Sequence, residues 1–313
     1  VIAGFLLTAV RVWTGRPTPS GVALGGIAAL WVLARILAFS SLTAAALADA
    51  AFAIAVAWGI GVPLVASRNR RNWFFIALVL ALGAASLAFQ AWPQLGVAVG
   101  LDVVLFVMAV VGGRVIPAFT NSAIPDAGAR RNAMLEKAAL GVLLLLLASD
   151  ILEMQGAAGI LALAAAALHA ARLWLWSPLA TRGRPILWIL HLSYAWIVVH
   201  LALRGLAAFE LVPAVAATHA LTVGAIGGLT LGMMTRTARG HTARPLVVGN
   251  AELAAYLLVQ AAAVVRVLLP LAFPGAYAAT IWTSAALWSA AFAIFTVVYY
   301  PILSRPRLDG QPG

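Results

Sequence analysis

Chemistry in this 313-residue chain has to come from a short set of side chains, led by five histidines: His169, His191, His200, His219 and His241. Cysteine is absent, so a disulfide framework, an iron–sulfur cluster and a thiolate metal site are excluded. A metal or haem would be held by His, Met, Tyr or carboxylates. His191 and His200 are nine residues apart in one expected helix, which puts them on opposite sides and prevents a shared metal. His169, on the preceding antiparallel helix, enters about 10 Å from the same end that His191 enters by about 9 Å. Two imidazoles at one depth on adjacent helices suit axial haem ligation or two-point copper binding. The competing reading, commoner for a lone buried imidazole, is a hydrogen bond to a carbonyl or another side chain. Tyr194 falls on the His191 face, where it could orient the ring or donate a proton.

The stretch from Thr218 to Met234 carries the densest pattern. Gly224, Gly228 and Gly232 form two overlapping small-xxx-small repeats, which let a neighbouring helix backbone approach closely. At about 100° per residue they lie nearly opposite His219, Thr222, Ile226 and Thr230. One face therefore packs, and the other presents an imidazole and hydroxyls, which must be hydrogen-bonded or metal-bound to offset burial.

The elements that position these residues are membrane helices. The chain is 64% hydrophobic and 9% charged, where soluble domains carry about 25% charged residues. A net charge of +11 would suggest nucleic-acid binding in a soluble chain, but the apolar runs leave no water-facing domain for it. Ten segments are long and apolar enough to span a bilayer: Gly21–Phe39, Ala46–Ala66, Trp73–Ala91, Leu95–Pro117, Leu135–Met154, Gly156–Trp176, Pro185–Arg204, Glu210–Thr235, Leu246–Pro270 and Ala276–Leu303. Val1–Val10 reads as the end of a further helix. The expected fold is an all-α polytopic transmembrane bundle, residues 1–313 forming one integral membrane domain shortened at its N-terminus. Alternate connections carry all but three of the basic residues, which by the positive-inside rule puts those loops and the C-terminus in the cytoplasm. The three exceptions are Arg35, Arg204 and Arg266. Arg35 and Asp102, as intramembrane ionisable groups, are either functional or a structural ion pair.

Several segments together, in order and spacing, resemble the NnrS family. They are Ala3–Val10 with Trp13-Thr14-Gly15, Gly112-Gly113-Arg114-Val115-Ile116-Pro117-Ala118-Phe119-Thr120, Leu190-His191-Leu192, and the run from His219 through Met233-Met234-Thr235-Arg236 to Gly240-His241-Thr242. These are haem- and copper-containing bacterial membrane proteins of the nitric oxide response. The resemblance implies about twelve spans, haem b and copper as cofactors, nitric oxide as ligand or substrate, and the bacterial inner membrane as location. It carries over to His191, His219 and His241 as metal ligands and to His169 as a further cofactor-binding residue. Arg114 and Arg236 match arginines that would hold haem propionates, or would anchor helix ends. The family's His-rich segment, similar to Trp-His-Ala-His-Glu-Met, does not occur here. Arg11-Val12 stand for a Pro-Asn pair, Arg239 for an apolar residue, and Ala243 for a glycine. Two other functions fit the residues: a transporter of a small molecule or metal complex with Arg35, Asp102 and the His219 face along its path, and a haem-handling assembly factor.

Overall fold

A computed structural model describes residues 2–311, so Val1, the first residue of the expected helix remnant, lies outside the described residues. Among those residues there are twelve α-helices and no strand: α1 (Ile2–Thr14), α2 (Gly21–Leu37), α3 (Leu42–Ala66), α4 (Phe74–Ala91), α5 (Pro93–Ala123), α6 (Ala133–Ile151), α7 (Gln155–Leu175), α8 (Pro185–Ala208), α9 (Ala214–His219), α10 (Gly228–His241), α11 (Asn250–Ala272) and α12 (Tyr277–Leu303). A π-helical segment, Ala220–Gly227, joins α9 to α10, making one continuous helix over Ala214–His241. Each of the ten expected spans falls on a helix. Eight are long and apolar enough to cross a membrane. α2 is shorter, with 17 residues, and α6 carries Glu136, Lys137 and Asp150. The chain is a multi-pass helical membrane protein, and helices answer the bilayer's demand that every backbone polar group be satisfied within the segment.

Helix ends differ from the expected ones in a consistent way. α5 continues past Pro117 to Ala123 and α10 past Thr235 to His241. Arg114 and Arg236, expected at helix ends, therefore lie inside helices, while Arg172 stays in the last turn of α7. The stops are unusual because they use few glycines. Arg68, Glu153, Ser177, Glu210 and Ala243 each sit two residues beyond a helix with φ between 53° and 60°. Four of these closures are completed by a six-to-one hydrogen bond, from the N–H of Asn69, Met154, Leu211 and Arg244 to the carbonyls of Leu64, Ser149, Leu206 and Arg239.

The chain divides into two compact units. The first runs up to Met108 with Asp150–Glu153. Within it α3 packs against α1, α2 and α4. Arg35 forms an ion pair with Asp49, not with Asp102, and Ser86 donates to Asp49 at 3.4 Å. Of the two readings of Arg35, the structural ion pair is the one observed.

The second unit comprises Ala109–Ser149 and the chain from Met154 onward. Its central element is α8, with thirteen of its 24 residues buried, too many for a single buried face. The glycines of the α9–α10 helix meet α8 as expected: a Cβ at Gly224 would strike Trp196, one at Gly228 Ser193, and one at Gly232 Leu190 and Ile189. His219, Thr222, Ile226 and Thr230 remain half-exposed opposite them, even though the π segment departs from 3.6-residue periodicity.

At Ala243 the left-handed conformation, φ 58°, falls on the position where the resembled pattern has glycine. A Cβ in that region costs about 1–2 kcal/mol. Ala243→Gly should therefore raise the stability of the detergent-solubilised protein by about 1 kcal/mol, measured as a shift in its unfolding midpoint.

Candidate functional site

The polar interior of the second unit is organised by Arg172 on α7, which is 1% exposed. Its guanidinium donates to both Glu136 carboxylate oxygens on α6, at 3.1 and 2.8 Å, to the Ala109 carbonyl on α5 at 3.1 Å, and to the Tyr194 hydroxyl on α8 at 2.8 Å. Tyr194 then donates to His169 Nδ1 at 2.7 Å, and His169 Nε2–H donates to the Ala139 carbonyl at 3.3 Å. The direction follows from the ring: the Ala139 carbonyl can only accept, so the proton of the neutral imidazole is on Nε2 and Nδ1 accepts. Both nitrogens of His169 are thereby occupied, and the ring is fully buried. The Trp176 ring packs edge-on to Tyr194, with centroids 4.6 Å apart.

Gly112 and Gly113 make this arrangement possible. A Cβ at Gly112 would stand 3.1 Å from the Tyr194 ring, and one at Gly113 would overlap Arg172 Nη2 and lie 2.9 Å from Glu136 Oε2. Four residues after Gly113 in the same segment of α5, Pro117 leaves the Gly113 carbonyl without its helical N–H partner. Phe119 and Thr120 finish the segment. The Arg236 guanidinium stacks over the Phe119 ring at 3.9 Å, and Thr120 Oγ1 lies 3.4 Å from His191 Nε2.

His191 is buried on α8 with Nδ1 at 3.1 Å from the Leu187 carbonyl and Nε2 at 3.3 Å from that of Trp176. His169 and His191 thus share neighbouring surroundings, yet each ring is held by its own backbone carbonyl, and Tyr194 serves His169. His200 is buried rather than solvated, with Nδ1 2.8 Å from the Ala217 carbonyl. His219 is half-buried, and its Nε2 accepts from Arg266 Nη2 at 2.7 Å. His241 is exposed at the last residue of α10, away from these groups. Arg114 is half-buried within α5. Arg236 is buried, and its Nη1 has no hydrogen-bond partner. Among the described residues no three His, Asp or Glu side chains come together as a metal-binding group.

A family model described as NnrS protein matches residues 1–307. The chain belongs to the NnrS family. No curated protein and no solved structure gives a match. In this NnrS chain the segment Gly112–Thr120, one of those that carry the family resemblance, supplies the two side-chain-free positions and the two contacts that tie α5 to Arg172, Tyr194, Arg236 and His191.

Sequence reasoning missed three polar groups of this NnrS protein. Arg172 reads from sequence as one more basic residue on the cytoplasmic side, but its spacing of three from His169 and four from Trp176 puts all three on one helix face. Ser193, Trp196 and Gln260 form a second buried network, Trp196 Nε1–H donating to Gln260 Oε1 at 2.9 Å and Gln260 Nε2–H to Ser193 at 3.0 Å. Arg239 pairs with Glu252 and donates to Tyr299 at 3.0 Å, clamping α10, α11 and α12. The signal available for Arg239 was the lone Glu252 in the first turn of α11.

Removing one partner of a buried ion pair strands the other, at about 3–5 kcal/mol. Arg172→Met should cause that loss, and the double variant Arg172→Met, Glu136→Leu should recover part of it in thermal unfolding. Gly113→Ala should destabilise by about 1–3 kcal/mol through overpacking. Gly141→Ala, where an added Cβ meets nothing within 4 Å, should leave the unfolding midpoint unchanged or slightly raised.

Proposed function

We propose that this NnrS-family protein binds haem b and copper in the bacterial inner membrane and acts in the nitric oxide response, binding or redox-processing nitric oxide at a His-ligated centre. Family membership across residues 1–307 carries this reading. The donor set supports it: a chain without cysteine places imidazoles, a phenol and arginines in a largely apolar interior. In this reading the arginine-bearing loops and the C-terminus face the cytoplasm.

The residues fit such groups to different degrees. His219 offers the most accessible imidazole, since it is half-exposed and its Nδ1 makes no hydrogen bond. His191 would release the Trp176 carbonyl to free Nε2, and His169 would give up Tyr194 or Ala139. His241 stands in the open at the helix end. Arg236, with Nη1 buried and lacking an acceptor, suits a propionate carboxylate, which a guanidinium pairs in a fork. Arg114 would assist from α5. When bound, haem iron supplies a coordination position for nitric oxide, and copper supplies an electron or a second binding position.

The test is spectroscopic. The purified intact protein should show a Soret band that shifts with nitric oxide, together with copper by elemental analysis. His191→Ala and His219→Ala should each lower haem or copper content to less than half. Absence of both cofactors, with substrate flux in proteoliposomes, would replace this reading with transport.

A further inference from the structure

Arg266, half-buried on α11, is held quite differently from Arg172 and Arg239 of the same unit. Arg172 has Glu136, Ala109 and Tyr194 as acceptors, and Arg239 has Glu252, with the Tyr299 hydroxyl and the Pro245 carbonyl beside it. Arg266 makes one side-chain hydrogen bond, from Nη2 to His219 Nε2 at 2.7 Å, and its Cζ lies 5.3 Å from the Tyr277 ring centroid. Its Nη1 is buried without a partner. No carboxylate among the described residues neutralises it.

A neutral imidazole has one lone pair in the ring plane. On His219 that lone pair is on Nε2, because Arg266 cannot give up its protons and must donate. A nitrogen lone pair accepts a hydrogen bond or binds a metal, never both. Coordination through Nδ1 would move the hydrogen to Nε2, where it would point at the Arg266 N–H. Either way a metal on His219 and the guanidinium in this position exclude each other.

We propose that Arg266 is an internal cationic latch that occupies the metal-binding lone pair of His219, so that a transition-metal ion with imidazole affinity, copper above all, loads only as the guanidinium swings away. This rests on the reading of His219 as a ligand. The latch is weakly fastened: leaving breaks one hydrogen bond to a neutral acceptor and one contact with an aromatic ring, and it relieves the unpartnered Nη1. It keeps the histidine neutral, oriented and unmetallated until a metal competes.

Cupric ion titrated into the purified full-length protein, followed by the nitrogen hyperfine pattern in electron paramagnetic resonance and by equilibrium dialysis, tests this. Arg266→Met should tighten copper binding on the order of tenfold or more, the factor carried by one charge-assisted hydrogen bond. Tyr277→Ala, which loosens the latch and leaves both partners in place, should tighten it severalfold. Arg266→Lys, which keeps a cation, should gain less than Arg266→Met. His219→Ala should abolish the gain in each background. Should binding depend on His219 yet stay unchanged or weaken in both Arg266→Met and Tyr277→Ala, the latch is wrong while the cofactor reading stands. Should His219→Ala leave copper affinity and the spectrum unaltered in every background, His219 is not a ligand and both fall together. Tyr277→Ala keeps the outcome readable if Arg266→Met fails to fold.

Discussion

Burying the Arg172 guanidinium is the constraint from which most of the second unit follows. An unpaired cation in a low-dielectric interior costs several kcal/mol even after relaxation. The chain meets this with acceptors from three helices besides its own: a carboxylate from α6, a carbonyl from α5 and a phenol from α8. Delivering those acceptors requires α5 to pass close to both α6 and α8, and the absence of side chains at Gly112 and Gly113 permits that approach. His169 is then fixed as a consequence, because Tyr194, itself held by Arg172, gives its one proton to Nδ1 and leaves Nε2–H for the Ala139 carbonyl. The imidazole orientation thus follows from an ion pair one residue removed from it.

The same logic of small residues beside polar ones recurs where the α9–α10 helix meets α8. Gly228 leaves room for Ser193 and Gln260, and Gly224 for the Trp196 ring. Lipid tails give no hydrophobic reward for bringing two helices together, so close backbone approach and interhelical hydrogen bonds must do so. The Ser193–Gln260–Trp196 network ties α8 to α11 at the level where the glycines bring α10 in. Polar residues that looked incidental in apolar spans are what join them.

Helical class, the multi-pass pattern and the packing role of Gly224, Gly228 and Gly232 were legible because they depend on periodicity and length, which the bilayer imposes on the sequence directly. Helix ends were less so: five helices close through left-handed residues that are not glycine, so the usual marker was missing. Arg172 was unreadable as a core residue for a physical reason. A basic residue near a span end satisfies the positive-inside rule whether its guanidinium points into water or into the bundle, and only the position of Glu136 across the interface decides. The equal depth of His169 and His191 was visible, but their separate carbonyl partners depend on where α7 ends and Trp176 turns back.

The histidines therefore differ both in burial and in how many bonds must be surrendered before they can act. His169 is closed by a hydroxyl and a carbonyl, both backed by a buried ion pair, so opening it would disturb four helices. His191 faces the carbonyls of Leu187 and Trp176, only one of which a neutral ring can donate to, and the second lies one residue beyond α7, next to the left-handed turn at Ser177. His219 is closed on one nitrogen alone, by a cation that has no other hydrogen bond of its own, at the start of a π-helical segment. Such segments are rare and recur at functional sites. Bracing is thus unevenly distributed along one unit: His169 is tied into the ion pair that joins four helices, and His219 is held by one hydrogen bond.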